Sequence, residues 1–295
     1  MTKQTMRFAL FGNNHQTQKS CFIPQIIDLL QQRGADIFIE SDFYHYIHET
    51  MQIQMDSAHV FDGIHFDADI AISVGGDGTF LKAASYVRDK QIPILGINTG
   101  RLGFMADASP YEIDTTIDIL YKKEYVTEER SVIQVSKEGE AFQEYPFALN
   151  EVAILKRDRS SMISINTYIN NDYLTTYQTD GLILCTPTGS TGYSLSSGGP
   201  ILVPCARNFV LTAVAPHSLN VRPIVLCDDV EITMTVESRS HNFLVAIDGR
   251  NETCEEGARL TLRRAPYTIQ IIKGNNKRFF DTLRKKLMWG ADQRS

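Results

Sequence analysis

A single aspartate, Asp77, stands in a glycine-rich turn after an apolar run, in the stretch Ala71-Ile-Ser-Val-Gly-Gly-Asp-Gly-Thr-Phe80. Its three flanking glycines lack a Cβ, so they allow unusual φ values and let a bulky anion lie against main-chain N–H groups. Thr79 can cap or open a following helix, whose N-terminus favours negative charge. One acid in such a loop indicates phosphoryl transfer to a hydroxyl, with Asp77 as the base or a metal partner. A tight turn with a solvated aspartate explains the run equally well.

A second candidate site is a loop rich in hydroxyl groups that follows the apolar run Leu182 to Cys185. Its sequence is Thr186-Pro-Thr-Gly-Ser-Thr-Gly-Tyr-Ser-Leu-Ser-Ser-Gly-Gly-Pro200. Tyr193 offers an aromatic face and Asp180 an acceptor, so the loop can bind a base edge, hydroxyls and phosphates together. An ordinary Ser/Thr/Gly loop is the plain alternative, but the length and the repeated small residues favour ligand binding.

The third candidate is Leu149-Asn-Glu-Val152, which places two polar side chains between apolar neighbours, within a predicted strand. A buried Asn150–Glu151 pair is costly unless both side chains find partners. Sugar hydroxyls suit them, because the glutamate accepts two O–H donors and the asparagine both donates and accepts. Taken alone, the motif fits a polar pair at a water-facing strand edge better.

Composition excludes several classes of protein. The chain has 295 residues, 43% of them hydrophobic, which is enough for two domains with well-formed cores. A net charge of −6 gives no support to nucleic-acid or membrane binding. The apolar run Phe8 to Phe11 is too short for a signal peptide or membrane span, and the five scattered cysteines include no CxxC pair. We therefore expect a cytoplasmic protein.

The first part of the chain alternates apolar strands and helices. We expect strands at Arg7–Phe11, Ala35–Glu40, Asp69–Val74 and Pro93–Ile97, and helices at Pro24–Arg33, from Thr79, and at Tyr111–Lys123. This alternation predicts a parallel sheet covered on both faces. Ligands of such sheets bind beyond the carboxyl ends of the strands, where Gly75–Thr79 lies.

From about Glu128 the pattern changes to period two, which predicts a mainly antiparallel β domain. Asn170-Asn-Asp172 and Asp248-Gly249 are turn signals, and Thr268–Lys273 is a late strand. Apolar residues at helical spacing in Arg278–Trp289 predict a helix that returns to the first domain. The predicted domains are 1–126 with 277–295, an α/β domain carrying the Gly-Gly-Asp-Gly-Thr loop, and 127–276, a β-rich domain.

Together, Gly75-Gly-Asp-Gly-Thr79, Asn150-Glu151 and Thr186–Pro200 resemble the NAD kinase family, and Asn98-Thr-Gly-Arg-Leu-Gly-Phe104 fits it as well. The order and spacing agree over nearly the whole chain. Gly-Gly-Asp-Gly also occurs in phosphofructokinases and in diacylglycerol and sphingosine kinases. The Asn-Glu element and the long Thr/Ser loop, in this order, are far more specific.

The resemblance implies ATP-dependent phosphorylation of NAD at the 2′-hydroxyl of its adenosine ribose, which gives NADP. It also implies a divalent metal, usually Mg²⁺, and a homo-oligomer, commonly a dimer or tetramer. In that family the acid matching Asp77 accepts the proton of the hydroxyl. The positions that match NAD-binding residues are Asp77, Gly78, Asn150, Glu151, Asp180, Thr191, Gly192, Tyr193, Ser194, Leu195, Ser196, Ala215 and Arg250.

The glycine loop and the helix after it are the predicted phosphate-binding elements. The residues assigned to ATP phosphates are Gly75, Gly76, Gly78, Thr79 and Lys82. Lys82 lies one helical turn beyond the loop, so it can reach a phosphate, although a solvated lysine fits equally well. The chain contains neither GxxxxGK[ST] nor GxGxxG, so it uses neither a P-loop nor an ordinary Rossmann fingerprint.

Two rival functions remain at this stage. One is a lipid or sugar kinase of the same superfamily, which the acidic balance and the hydroxyl-rich loop disfavour. The other is an NAD(P)-binding sensor without turnover, which the presence of Asp77 disfavours.

Overall fold

The computed structural model describes residues 5–13, 22–55, 57–100, 102–106, 108–157, 161–273 and 279–290. Arg101 of the Asn98–Phe104 loop and Arg278 of the predicted terminal helix lie outside these residues. The chain divides into two compact units, Met1–Glu129 with Ile269–Ser295, and Arg130–Thr268.

The first unit is built on a seven-stranded sheet with the order β3-β2-β1-β4-β5-β19-β6. Neighbouring strands from β3 to β19 in this order pair in parallel. The strands are β1 Arg7–Gly12, β2 Asp36–Glu40, β3 His59–Phe61, β4 Ile70–Gly75, β5 Ile94–Asn98, β6 Val126–Arg130 and β19 Ile269–Lys273. β4 is buried along its whole length, as its uninterrupted apolar run predicts for a parallel strand covered on both faces.

The helices of this unit bury apolar residues spaced three and four apart, such as Ile23, Ile26, Ile27 and Leu30 of α1. Their bounds are α1 Phe22–Gln32, α2 Ser41–His45, α3 Asp77–Val87, α4 Ile113–Lys122 and α6 Phe279–Leu287. A π-helical segment, Tyr46–Thr50, continues α2, and a 3₁₀ turn, Pro110–Glu112, precedes α4. The sequence reading assigned no helix to Ser41–Thr50.

Two local expectations were wrong. α3 begins at Asp77 rather than Thr79, and Gly76, in an extended conformation, precedes it as the N-cap without a side-chain bond. Thr79 is therefore a buried residue of the first helical turn rather than its cap. The chain already changes from strand to helix at Gly75 and Gly76, before it reaches Thr79. The strand predicted at Thr268–Lys273 exists as β19, but it pairs with β5 in the parallel sheet, not within the β domain. Period-two alternation does not state which sheet a strand joins.

The second unit contains two six-stranded antiparallel sheets with the orders β11-β10-β15-β18-β7-β8 and β14-β13-β12-β9-β16-β17. The strands of the first are β7 Ile133–Lys137, β8 Phe147–Ala148, β10 Ile163–Ile169, β11 Asp172–Thr179, β15 Ile232–Glu237 and β18 Arg259–Arg264. Those of the second are β9 Glu151–Lys156, β12 Gly181–Cys185, β13 Asn208–Val214, β14 Ile224–Cys227, β16 Asn242–Ile247 and β17 Arg250–Glu255. A 3₁₀ turn, Gly189–Thr191, and a short helix, α5 Tyr193–Ser196, follow β12.

Alternate residues of the two sheets form one buried cluster, so the sheets pack face to face. Ile165 and Met234 come from one sheet, and Ile154 and Leu184 from the other. The two predicted turns are present: Asn170 and Asn171 both have positive φ, as do Asp248 and Gly249, which suits tight hairpins. The predicted fold class, an α/β unit with a returning terminal helix and an antiparallel β unit, is confirmed. No helix within the described residues has the length and apolarity needed to cross a membrane.

Candidate active site

Asp77 is the first residue of α3 and lies directly beyond the carboxyl end of β4. Its carboxylate accepts hydrogen bonds from the loop after β5. The Phe104 N–H donates to Oδ2 at 3.0 Å, and the N–H groups of Met105 and Ala106 donate to Oδ1 at 3.0 and 3.2 Å. Since β4 and β5 are parallel neighbours, both loops leave the same edge of the sheet, and Asp77 is fixed there as an oriented acceptor.

Gly103 leaves room for this arrangement. A Cβ at Gly103 would lie 2.2 Å from Oδ1 of Asp77 and 2.8 Å from its Cγ. Any larger residue would therefore displace the carboxylate. Sequence reasoning placed Gly103 in a loop that fits the family but did not connect it with Asp77, although a glycine just before the three donating residues was the available signal.

The C-terminal helix also contacts the aspartate. Lys286 of α6 places its Nζ 3.5 Å from Oδ2 of Asp77, and the two side chains are 32% and 28% exposed. The same Nζ lies 4.6 Å from the ring centroid of Phe104. The sequence predicted the helix and its return, but gave no sign that a lysine would face the acid.

The glycines around Asp77 have different surroundings. A Cβ at Gly75 would meet the Thr79 hydroxyl at 2.3 Å, whereas nothing lies within 4 Å of one at Gly76 or Gly78. The open side of the loop thus leaves backbone accessible at the start of α3. A cavity of about 200 Å³ adjoins it, lined by Gly12, Asn13, Asp42, Phe43, Gly78, Thr79 and Lys82.

Lys82 faces two acids beside this cavity. Its Nζ lies 2.9 Å from Oε1 of Glu40, whose side chain is 1% exposed, and 3.3 Å from Oδ2 of Asp42. Burial opposes the charge of Lys82, but these carboxylates outweigh it and raise the pKa of the lysine. The ammonium is therefore charged at neutral pH beside the cavity, and the two carboxylates are its partners.

In the second unit, the turn between β16 and β17 holds the start of β9. The Asp248 carboxylate accepts the N–H groups of Leu149, Asn150 and Glu151 at 2.6, 2.8 and 3.0 Å. Burial raises the pKa of Asp248, although these hydrogen bonds and nearby Arg250 oppose the shift. Sequence reasoning found Asp248 only as a turn residue.

Asn150 and Glu151 have polar atoms without partners among the described residues. Three side-chain oxygens are buried and accept or donate no hydrogen bond within the described parts of the chain: Asn150 Oδ1, Glu151 Oε2 and Thr188 Oγ1. Burial, with a smaller contribution from the Asp248 charge, raises the pKa of Glu151 from 4.5 to about 7. Leaving buried oxygens unsatisfied is unfavourable, so this group is suited to a ligand that brings O–H or N–H donors.

The Thr186–Pro200 loop closes over this pair because its glycines permit close approach. A Cβ at Gly189 would lie 2.2 Å from the Asn150 carbonyl oxygen, and one at Gly192 would lie 3.1 Å from Oε2 of Glu151. Thr186 donates to the Leu149 carbonyl at 2.6 Å. The structure therefore brings together two motifs that are separated in sequence.

The remaining predicted residues of this loop differ in exposure. Ser194 is buried and hydrogen-bonds Thr212 at 2.9 Å, so it supports the loop. The Tyr193 side chain is 39% exposed and Ser196 is exposed, which leaves both accessible to a ligand. Thr191, Gly192 and Leu195 are partly exposed beside them.

The last three predicted residues have other partners. Asp180 pairs with Lys156 at 2.7 Å. Arg250 donates to the carbonyls of Ile247 and Phe147 at 3.1 and 2.8 Å, so its guanidinium already has partners. Ala215 follows β13 with a φ of +46°.

Each of the two units matches a domain of known proteins. Residues 8–125 match the ATP-NAD kinase N-terminal domain, and residues 149–274 match the ATP-NAD kinase C-terminal domain. The NAD kinase of Bacteroides fragilis is 58% identical over 98% of this chain and 100% of its own length. The NAD kinase of Porphyromonas gingivalis is 43% identical over 97% and 98%, respectively.

A solved structure supports the same assignment. The NAD kinase of Archaeoglobus fulgidus, crystallised in complex with ATP, superimposes with a TM-score of 0.73 at 25% identity, covering 95% of this chain and 99% of that one. Full-length identity, the two matched domains and the shared fold agree with the motifs described above. The chain belongs to the NAD kinase family.

Proposed function

We propose that this protein transfers the γ-phosphoryl group of ATP to the 2′-hydroxyl of the adenosine ribose of NAD, producing NADP. The observation that carries the proposal is the Asp77 carboxylate, which three backbone N–H groups fix at the start of α3 beside open glycine backbone. Family membership supports the substrates, since the similar proteins are named NAD kinases.

Asp77 accepts the proton of the ribose hydroxyl. Oδ1 already receives two N–H bonds, whereas Oδ2 receives one N–H bond and the longer contact with Lys286. Each oxygen thus has two donors, and the contact with Lys286 is the longest of the four, so a new O–H donor most readily enters at Oδ2. Because aspartate is a weak base, the proton transfers late, as the oxygen bonds to phosphorus.

The N-terminus of α3 and the exposed backbone at Gly76 and Gly78 receive the phosphate groups. Helix N-termini favour negative charge, and open glycine backbone lets an anion approach the N–H groups. Gly75 and Thr79 support the loop, since their close packing fixes the turn. Lys82 reaches phosphate from the cavity if it exchanges Asp42 for the ligand, while buried Glu40 continues to hold it.

In the second unit, Asn150, Glu151 and Thr188 supply unsatisfied oxygens to the hydroxyl and amide groups of NAD. Tyr193 offers an accessible ring for stacking, and Ser196 lies beside it on α5. We assign Asp180, Ala215 and Arg250 secondary roles in NAD binding, since Asp180 and Arg250 have protein partners that fix their side chains.

A divalent metal, Mg²⁺ in our proposal, accompanies ATP. No three His, Cys, Asp or Glu side chains of the described residues cluster as metal ligands. Mg²⁺ is commonly held by substrate phosphates, water and one or two carboxylates rather than by a protein cage, so ATP would bring most of its ligands. When bound, the metal neutralises charge on the phosphate oxygens.

We also propose that the enzyme is a cytoplasmic homo-oligomer, a dimer or a tetramer. The family resemblance supports this assembly. Light scattering coupled to size-exclusion chromatography measures the mass directly, and a monomer at assay concentration would contradict it.

The proposed activity is tested by NADP formation from NAD, ATP and Mg²⁺, with wild type and Asp77→Asn. We expect the substitution to reduce kcat by about 10²–10⁴-fold, the usual contribution of a general base, while NAD binding persists. Wild-type protein that binds NAD but makes no NADP would favour the sensor over the kinase.

A further inference from the structure

Lys286 stands where the helix α6 meets the proposed base. Its Nζ contacts Oδ2 of Asp77 at 3.5 Å, across 209 residues of sequence. Oδ1 has two backbone N–H donors and Oδ2 has one, so the lysine is the second donor of Oδ2. The cation therefore lies beside the atom that would accept the proton.

Phe104 fixes both partners of this contact. Its backbone N–H donates to Oδ2 of Asp77, and its ring lies under the Lys286 ammonium at 4.6 Å. The ring also packs against Phe279, the first residue of α6, with centroids 6.0 Å apart. Since a cation over an aromatic face is attracted to it, Phe104 positions the lysine as well as the acid.

The spacing along α6 directs one face of the helix to this position. Phe279, Leu283 and Lys286 are separated by four and three residues, so they share a face. Leu283 is 7% exposed, which shows that this face is the packed one. Lys285 is exposed one position earlier on the helix, and no ion pair or hydrogen bond of it occurs among the described side chains.

We infer that Lys286 is a positioning residue for catalysis: it orients Oδ2 of Asp77 and places a positive charge where the attacking oxygen loses its proton. The inference rests on the proposed function. The lysine acts through Asp77, so removing it lowers turnover without removing contacts to NAD. The C-terminal helix thereby becomes part of the catalytic arrangement, not only of the fold.

The test compares four full-length variants with wild type: Lys286→Met, Lys286→Gln, Lys286→Arg and Lys285→Met. Lys285→Met is the matched control, because it removes the same charge from the neighbouring position of the helix. Steady-state assays give kcat and the KM values for NAD and ATP, and thermal unfolding reports on folding.

We expect Lys286→Met and Lys286→Gln to reduce kcat about 10-fold or more, as misplaced catalytic groups do, with KM for NAD within about twofold of wild type. Lys286→Arg should recover most of the loss, and Lys285→Met should match wild type. Wild-type kcat in both neutral Lys286 variants, an effect on KM alone, or an equal loss in Lys285→Met would overturn the inference. Wild-type protein without any NADP formation would instead contradict the proposed function.

Discussion

Asp77 in the first unit and Glu151 in the second are both carboxylates at strand ends, but their surroundings are opposite. Asp77 receives three backbone N–H groups and faces Lys286. Glu151 has a buried oxygen without a partner in the described part of the chain, and its pKa is raised to about 7. Asp77 is oriented by protein hydrogen bonds before any ligand binds, whereas Glu151 keeps an oxygen that a ligand donor can occupy.

The difference separates two tasks. A group that must act on a reacting atom benefits from a fixed orientation before the substrate arrives. A group that must bind substrate gains affinity when its unsatisfied oxygen finds a donor, and it lowers the stability of the free protein until then. The first task requires protein donors that already hydrogen-bond the carboxylate, whereas the second requires a carboxylate oxygen that no protein donor occupies.

Asp248 shows that the contrast does not arise from the units themselves. It lies in the second unit, yet it receives three successive N–H groups from Leu149–Glu151, as Asp77 does from Phe104–Ala106. The same arrangement of three backbone N–H groups thus fixes the proposed catalytic acid in one unit and the proposed NAD-binding strand end in the other.

Among the variants that leave both carboxylates in place or test Glu151, the largest effect is expected from removing the space around Asp77. Gly103→Ala places a Cβ 2.2 Å from Oδ1, and the carboxylate must leave its N–H donors. We expect kcat to fall about 100-fold, because small displacements of catalytic groups have effects of this size. NAD titration and thermal unfolding serve as controls. A normal kcat would show that the fixed orientation of Asp77 is unnecessary.

Glu151→Gln tests the opposite property. The amide keeps the shape but not the charge, so a charge-assisted hydrogen bond to NAD weakens by about 1.5 kcal/mol. We expect KM for NAD to rise about 10-fold, with kcat within about threefold of wild type. Glu255→Gln, at an exposed position of β17, is the control. A loss confined to kcat would place Glu151 in catalysis and remove the contrast with Asp77.

The raised pKa of Glu151 also predicts a pH dependence of stability. Folding favours the protonated acid, so its contribution is fully present below pH 4.5 and is lost as pH rises through 7. The free energy of unfolding of wild type relative to Glu151→Gln should therefore fall between pH 5 and pH 8, by at most about 3 kcal/mol. Urea unfolding of both proteins without ligand measures this difference, and a pH-independent difference would contradict it.

The smallest effect is expected at Gly192. A Cβ there would lie 3.1 Å from Oε2 of Glu151, so the loop needs to move by only a few tenths of an ångström. Gly192→Ala should change KM for NAD less than about threefold, as mild surface substitutions do. A loss as large as that of Glu151→Gln would mean that the loop tolerates far less movement than this distance indicates.

Local patterns predicted much of the fold. Apolar patterns predicted α1 and α6, and period-two alternation from about Glu128 predicted the antiparallel β unit. Asn and Gly residues predicted two tight turns that have positive φ. The placement of β19 could not be predicted, because its alternation fits either an antiparallel or a parallel neighbour. Its pairing with β5 depends on the path of the chain.

The candidate site likewise contains residues that the sequence predicted and residues that only the structure revealed. Asp77, Asn150, Glu151 and the loop after β12 were found from residue types in short runs. Gly103, Asp248 and Lys286 were not, because their roles depend on contacts with residues distant in sequence. Gly103 had a visible signal in its loop, while Lys286 was one of several basic residues near the chain end.

By itself, the sequence determined most of the elements, two tight turns and which side chains can do chemistry, because these follow from φ preferences, periodicity and functional groups within a few residues. Only the tertiary structure decided which carboxylate is satisfied and which is not. Asp77 takes donors 27 to 29 residues away, and Lys286 reaches it from 209 residues away. Burial and hydrogen bonding at such separations exist only once the chain has folded.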